Sequence, residues 1–382
     1  MVTFIKNCDV FAPEYIGKKN ILVSGRSIEG IFEENEDVNI PGMNVIYADG
    51  NYMFPGLIDS HVHITGGGGE SSFSSRTTEI DVSEIVKYGV TTVVGCRGTD
   101  DVGRSMESLI SKAKELKEKG ISAYCYTGSY SIPAKTMTRS IKRDIMMIDE
   151  IIGTGEIAVS DNRSSNPTYE ELLKIISETR VAGLLSGKAG VVNIHVGDGK
   201  DKLKLIKLII NSTEIPAYNI LPTHINRNGA LFSEAKNYIK HGGVVDITTS
   251  CDKNNMAEGE LRAAKALKEL LDSGADIQNI TFSSDGNGSM PEFDCEGHLI
   301  KMGRCSLDSL YTEVISAIND YGISIEKALS VVTKNPAQIL KLRKKGRIRL
   351  ENDADFLIVD KNNFEIKYVF ANGKCMLNKK EK

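Results

Sequence analysis

A chain of 382 residues with 41% hydrophobic and 26% charged residues has an ordinary globular composition, long enough for one large domain and a smaller one. Its net charge of -4 gives no electrostatic case for nucleic acid or an anionic membrane as partner. No cationic leader and no bilayer-length apolar stretch is visible, so a cytoplasmic location is the expectation.

The seven cysteines are odd in number and include no CxxC pair, which reads as reduced thiols, neither a disulfide framework nor a cysteine zinc knuckle. Histidine is scarce, six in all, so where it falls is informative.

Residues 1 to about 52 contain short alternating segments, Val2–Ile5, Asn20–Val23, Ile28–Phe32 and Asn44–Ala48, broken by Gly, Pro and Asn. They predict a small sheet. From 53 to 345, apolar strand candidates alternate with helical stretches. The strands are Phe54–His63, Val90–Cys96, Ile121–Gly128, Glu156–Ser160, Val191–Val196, Ile220–His224, Gly243–Thr248 and Ile280–Ser284. The helices between them include Arg104–Lys119, Ser140–Ile152, Thr168–Val181, Asp201–Ile210, Leu231–His241 and Met256–Ser273. Thr168-Tyr-Glu-Glu after Pro167 reads as a capped helix start, and Gly89, Gly120 and Gly242 as helix ends. Eight such repeats are the signature of a (β/α)8 TIM barrel, an α/β fold whose active site lies at the C-terminal ends of its strands. The basic run Lys341 to Lys345 reads as a solvated helix end. Residues 346–382 return to strand patterns, and with 1–52 they are expected to form one small β-sandwich domain beside the barrel.

The polar residues can then be sorted by position. Strand 1 ends in His61 and His63, whose imidazoles leave the strand on one side and can chelate zinc or a similar ion. Strand 4 begins with Glu156, strand 5 carries His195, strand 6 ends in His224 and strand 8 ends in Asp285. His241 and His298 fall outside the strands and receive no role. A single buried strand histidine is usually a satisfied core residue. Four, with two carboxylates, converging on one mouth would each need a separate buried partner, whereas a metal satisfies them together. The set can hold two divalent cations with a hydroxide between them, and Asp285 is placed to carry a proton from water to a leaving nitrogen. Amide hydrolysis is the reaction such an arrangement serves best.

The order of these ligands, with Pro55-Gly56-Leu57-Ile58-Asp59-Ser60-His61-Val62-His63, Gly66-Gly67-Gly68-Gly69-Glu70, Ser160-Asp161-Asn162-Arg163-Ser164, His224-Ile225-Asn226-Arg227-Asn228 and Ser284-Asp285-Gly286-Asn287-Gly288-Ser289, resembles the isoaspartyl (β-aspartyl) dipeptidases of the amidohydrolase superfamily. The resemblance covers nearly the whole chain. It implies two zinc ions per chain, a small-molecule dipeptide substrate and a homo-oligomer. It further implies that Glu70 receives the substrate's amino group, that Arg163 and Arg227, with Ser289 and backbone near Thr99, hold its carboxylates, and that Tyr130 polarises the scissile carbonyl. One acid and two arginines suit a zwitterion with an extra carboxylate. One departure stands out: such dipeptidases usually bridge their metals with a carbamylated lysine on strand 4, where this chain has Glu156. Either strand 4 sits closer to the metals, or one ion is held firmly and a second weakly; a two-metal site bridged by Glu156 is the expectation. Two other readings are open: a cyclic-amide hydrolase or N-acyl amino acid deacylase, against which Glu70, Arg163 and Arg227 argue because a neutral ring gives them no partner, and a barrel that has lost catalysis and serves assembly.

Overall fold

The computed structural model describes residues 2–379 apart from 251–255, 257, 258 and 294–298. Cys251, Cys295 and His298, and part of the expected Met256–Ser273 helix, lie outside the described residues; the described helix there is Ala263–Asp272.

Five strands lead the chain: β1 (Val2–Phe11), β2 (Tyr15–Ser24), β3 (Ser27–Glu33), β4 (Asn44–Tyr47) and β5 (Tyr52–Pro55). The barrel strands follow as β6 (Leu57–Val62), β7 (Val90–Gly95), β8 (Ser122–Thr127), β9 (Ile151–Val159), β10 (Val191–Val196), β11 (Ile220–Thr223), β12 (Val245–Thr248) and β13 (Ile280–Ser283). A hairpin, β14 (Ser289–Phe293) with β15 (Leu299–Arg304), extends from the last of these, and β16 (Phe356–Val359), β17 (Ile366–Ala371) and β18 (Lys374–Asn378) end the chain.

The terminal strands join into one eight-stranded sheet in the order β18-β17-β16-β5-β1-β2-β3, with β4 beside β1. Its two halves share a core that includes Ile5, Val10, Ile21, Met53, Phe356 and Phe370. The tips of β2–β3 and β17–β18 meet where Arg26 Nη2 donates to Asn372 Oδ1 at 2.8 Å, closing the sandwich.

The single strand expected over Phe54–His63 is two strands in two sheets. β5 pairs with β16 of the sandwich and β6 with β7 of the barrel. Gly56 makes the break: a Cβ there would run into the Thr91 side chain and come within 3.0 Å of the Asp355 side chain. The fourth barrel strand begins earlier than expected, at Ile151, so Glu156 lies inside it and the preceding helix is only Ile141–Met147. Gly153 and Gly155 hide the strand pattern. A Cβ on Gly155 would lie 2.9 Å from Asn193 Cβ, so glycine is required where these strands approach closely.

β6 to β11 form a continuous parallel sheet, and β12 and β13 form a pair. Buried side chains complete the two seams. The Asn226 amide stands in for a strand segment at one, donating to Thr248 O and accepting from Thr248 N, both at 3.0 Å. At the other, His63 N donates to Gly286 O at 2.8 Å, and Asp59 accepts from Ser284 N and Oγ. Asp246 on β12 also ties β11 to β13, accepting from Thr223 Oγ1 at 2.6 Å and Ser283 Oγ at 2.5 Å.

Outside the barrel, the helix Tyr169–Ser186 shows how local sequence sets an element. Thr168 and Glu171 form a reciprocal capping box, and Gly187 ends the helix in the left-handed region at φ 70°. Lys345 is not a solvated helix-end residue. It is buried, and its Nζ lies 2.8 Å from Asp353 and 2.6 Å from Asp355, pinning the end of the barrel to the start of the terminal strands.

Candidate metal centre

The barrel's C-terminal mouth gathers the six candidate ligands. His61 belongs to β6 and His63 follows it; Glu156 lies in β9 and His195 in β10. His224 and Asp285 come directly or soon after β11 and β13, each at a positive φ, 63° and 53°, which turns the chain out of the strand while the side chain stays at the mouth. The four histidines of the cluster and Glu156 are buried, and the Asp285 side chain is 20% exposed toward the opening.

Glu156 is the centre of the cluster. Its Oε2 lies 3.1 Å from His61 Nε2, 3.5 Å from His195 Nδ1 and 3.8 Å from His224 Nε2, and its Oε1 lies 3.6 Å from His63 Nε2. Asp285 Oδ1 approaches His63 Nε2 at 3.0 Å and His61 Nε2 at 3.5 Å. These approaches are not hydrogen bonds. Both nitrogens of His61, Nδ1 of His63, both oxygens of Glu156 and Oδ1 of Asp285 are buried without a hydrogen-bond partner. Each orphaned group costs about 1–3 kcal/mol, a burden that a shared divalent cation removes. The residues therefore fit a metal. Among the described residues there are two ligand groups, His61, His63, Cys96 and Glu156 in one and Glu156, His195 and His224 in the other, each with its donor atoms within 4.8 Å of one another.

Electrostatics follow the packing. Burial pushes the Glu156 carboxyl up, but His61, His195 and His224 outweigh it and hold it well below the usual carboxylate range. Asp285 follows the same pattern, with His63 the main counterweight to burial, and sits at about 2. Burial pushes His224 down to about 3, so its ring is neutral and its lone pair available. For Tyr130, burial first and then Glu156 raise the phenol well above its ordinary value, so it stays a proton donor.

Further out, Glu70, Thr99, Tyr130, Arg163, Arg227 and Ser289 line the same cavity as His63, His195 and Asp285, about 460 Å³ including its open mouth. Glu70 Oε1 accepts from Thr99 Oγ1 at 2.9 Å and lies 3.4 Å from Arg163 Nη1; its Oε2 is 3.5 Å from Ser289 Oγ. Arg227 Nη1 lies 3.3 Å from His195 Nε2, and Tyr130 Oη lies 2.9 Å from His195 Nδ1.

Four residues that the sequence reading gave no role support these. Asp161 contacts His195 Nε2 and receives Arg163 through both Nε and Nη2, each at 2.9 Å. Thr248 Oγ1 holds His224 Nδ1 at 2.6 Å, leaving Nε2 to face Glu156. Arg97, fully buried, donates to the carbonyls of Gly128, Arg104 and Lys135, and Arg104 donates to those of Thr65, Gly67 and Thr77. These two arginines knit the loops that carry Glu70, Thr99 and Tyr130. Asp161 stands two residues before Arg163, but nothing local in the sequence marks it as a histidine's partner.

Eight parallel strands wrapped by helices, with a histidine–carboxylate cluster at their C-terminal mouth, define a (β/α)8 barrel built around a metal site. Residues 52–376 match the amidohydrolase family, and the chain belongs to that family. A crystal structure of a β-aspartyl dipeptidase from Fervidobacterium islandicum AW-1, in complex with β-Asp-Leu dipeptide, superposes with a TM-score of 0.91 at 42% identity, covering 99% of this chain and 97% of that one. A second structure of the β-aspartyl dipeptidase from that organism gives 0.90 at 41% identity over the same shares. A deacetylase of Agrobacterium fabrum is 23% identical over 348 residues, 86% of this chain and 75% of the relative. A D-hydantoinase from a Thermus species, at 16% identity and a TM-score of 0.67 over 98% of this chain and 95% of its own, shares the fold.

Proposed function

We propose that this protein hydrolyses the β-linked amide of isoaspartyl dipeptides, clearing fragments released when damaged proteins are degraded. The observation that carries the reading is the convergence of one acid, Glu70, and two arginines, Arg163 and Arg227, on the cavity that holds the ligand cluster. The 42% identity to a β-aspartyl dipeptidase over nearly both full chains supports the same substrate class. A neutral cyclic amide offers these charges no partner.

We assign His61, His63, Glu156, His195, His224 and Asp285 as the residues that would hold zinc, two ions per chain, with Glu156 the carboxylate common to both donor groups. Such ions, when bound, lower the pKa of water and polarise a carbonyl oxygen. The chain's own residues do the rest. Glu70 accepts the substrate's ammonium group, exchanging its contact with Arg163 for one with substrate. Arg163 and Arg227, helped by Ser289 and the backbone at Thr99, hold the two carboxylates through planar, paired donors. Tyr130 Oη donates to the scissile carbonyl oxygen. Asp285 takes a proton from the attacking water and hands it to the amide nitrogen as the C–N bond breaks.

We take residues 1–52 and 346–382 as the small domain and 53–345 as the catalytic one. A cytoplasmic homo-oligomer is the setting we propose, in keeping with the free cysteines and the family resemblance; no described helix is long and apolar enough to cross a membrane. The test is hydrolysis of β-Asp-Leu against α-Asp-Leu and dihydroorotate, with and without added zinc. Zinc-dependent preference for β-Asp-Leu is expected. Preference for the α-linked peptide or the ring would overturn the substrate assignment.

A further inference from the structure

Cys96 directly follows β7 and is fully buried. Its backbone N–H donates to Val62 O at 3.0 Å, which fixes the end of β7 against the residue between His61 and His63. Its side chain therefore enters the cluster at the base of the two histidines. Among the described cysteines it alone joins a ligand group: its Sγ, the nearest ring nitrogens of His61 and His63 and an oxygen of Glu156 all lie within 4.8 Å of one another. The nitrogens of His61 and both oxygens of Glu156 in that group have no hydrogen-bond partner. Cys96 Sγ donates weakly to Val62 O at 3.7 Å and otherwise faces the His61 ring. Both Cys96 and Cys125, the latter one strand over on β8, pack in apolar clusters, but among the described residues only Cys96 also joins a ligand group.

We propose that Cys96 is a metal ligand of this centre, its thiolate completing a nitrogen, sulfur and oxygen set with His61, His63 and Glu156. The inference rests on the reading of the cluster as a metal centre and deepens it. It also bears on the exchange of a long carbamylated lysine for the shorter Glu156. A thiolate from the neighbouring strand adds a negative charge, beside those of Glu156 and Asp285, where burying a divalent cation calls for anions. A coordinating thiol gives up its proton to solvent as the cation binds, so no other reactant is needed. Sulfur also sets the metal preference, because soft thiolate ligands favour zinc, cobalt or cadmium over magnesium or manganese.

The experiment is cobalt(II) substitution of the full-length protein, followed by absorption spectroscopy of the parent, Cys96→Ser and Cys96→Ala. Expected is a near-ultraviolet sulfur-to-cobalt charge-transfer band in the parent that disappears in both variants, while the visible bands of bound cobalt remain. Cobalt bound without that band, or a band that persists in the variants, overturns the Cys96 assignment and leaves the metal centre standing. No cobalt bound at all overturns the centre itself, and the assignment with it. If neither variant folds, X-ray absorption of the zinc-loaded parent decides: a Zn–S shell at about 2.3 Å supports ligation, and a shell of nitrogen and oxygen alone overturns it. Cys96→Ala is further expected to lower the preference for cadmium over manganese at least tenfold in competition, and an unchanged preference counts against ligation.

Discussion

Asp161 Oδ2 lies 2.9 Å from His195 Nε2, and this contact sets which face of the imidazole meets the metal centre. With the carboxylate as acceptor, Nε2 carries the proton and Nδ1 keeps its lone pair, 3.5 Å from Glu156 Oε2. Arg163 grips both oxygens of the same carboxylate, Nη2 on the Oδ2 that faces His195 and Nε on Oδ1, so the residue that orients a ligand also orients a substrate-binding candidate. Carboxylates that orient metal-binding histidines are worth about 10–100-fold in affinity or activity. Asp161→Ala is therefore expected to weaken cation binding by that factor, measured by competition with a chromophoric chelator. Unchanged affinity would leave Asp161 as a partner of Arg163 only.

Lys345 gives a prediction independent of catalysis. Its ammonium is buried between Asp353 and Asp355 and also lies 3.2 Å from Asn372 Oδ1, so removing it strands two carboxylates at the junction of barrel and sandwich. Breaking a buried pair from one side costs about 3–5 kcal/mol, and Lys345→Met should show a loss of that size in urea unfolding. Burial lowers this lysine's pKa, but Asp355 and Asp353 prevail and raise it above the ordinary value. Its stabilising contribution is thus complete below the unfolded lysine's value of about 10.4 and is lost as pH rises through the higher folded value. The parent should lose more stability in that alkaline window than the Met variant, which lacks the group. Parallel alkaline curves would refute the linkage.

Glu156 occurs in both ligand groups, which makes cation stoichiometry its sharpest test. Glu156→Gln removes the shared anion and should lower the cation content of dialysed protein from two per chain to one or none, by elemental analysis. A single cation per chain in the fully active parent would instead remove the two-ion assignment. Glu156→Lys tests the departure from the usual bridging residue. Activity regained only with bicarbonate present would mean that the two bridges are interchangeable.

How much of this was legible beforehand depended on what local pattern can carry. The barrel strands announce themselves because apolar runs such as Val191–Val196 are buried on both faces, and His195 stands out inside one. Thr168 and Glu171 mark a helix start because their reciprocal bonds span three residues. Glycine misleads in both directions. Gly153 and Gly155 mask the first half of β9, while Gly56 lets an apparently continuous strand change sheets. The supporting shell could not be read at all. Arg97 is a buried cation whose partners are carbonyls of residues 104, 128 and 135, and a carbonyl leaves no mark in a sequence. Lys345 looks like part of a basic run, and only the return of the chain at Asp353 and Asp355 buries it.

The role of Asp285 can be separated from that of the remaining ligands. Its Oδ1 faces His63 and His61, yet its side chain is the most open of the six to the cavity, the position required of a group that must meet both water and substrate. Its carboxyl, held below the ordinary value against the pull of burial chiefly by His63, is ionised in the neutral range, the form that a proton acceptor must have. Asp285→Asn keeps the shape and removes that capacity. With zinc in excess, turnover of β-Asp-Leu should fall about 10²–10⁴-fold, the usual worth of a positioned proton carrier, with the circular dichroism spectrum unchanged. A fall confined to low zinc, and relieved by adding more, would make Asp285 a ligand alone; a fall that saturating zinc does not relieve assigns it the proton.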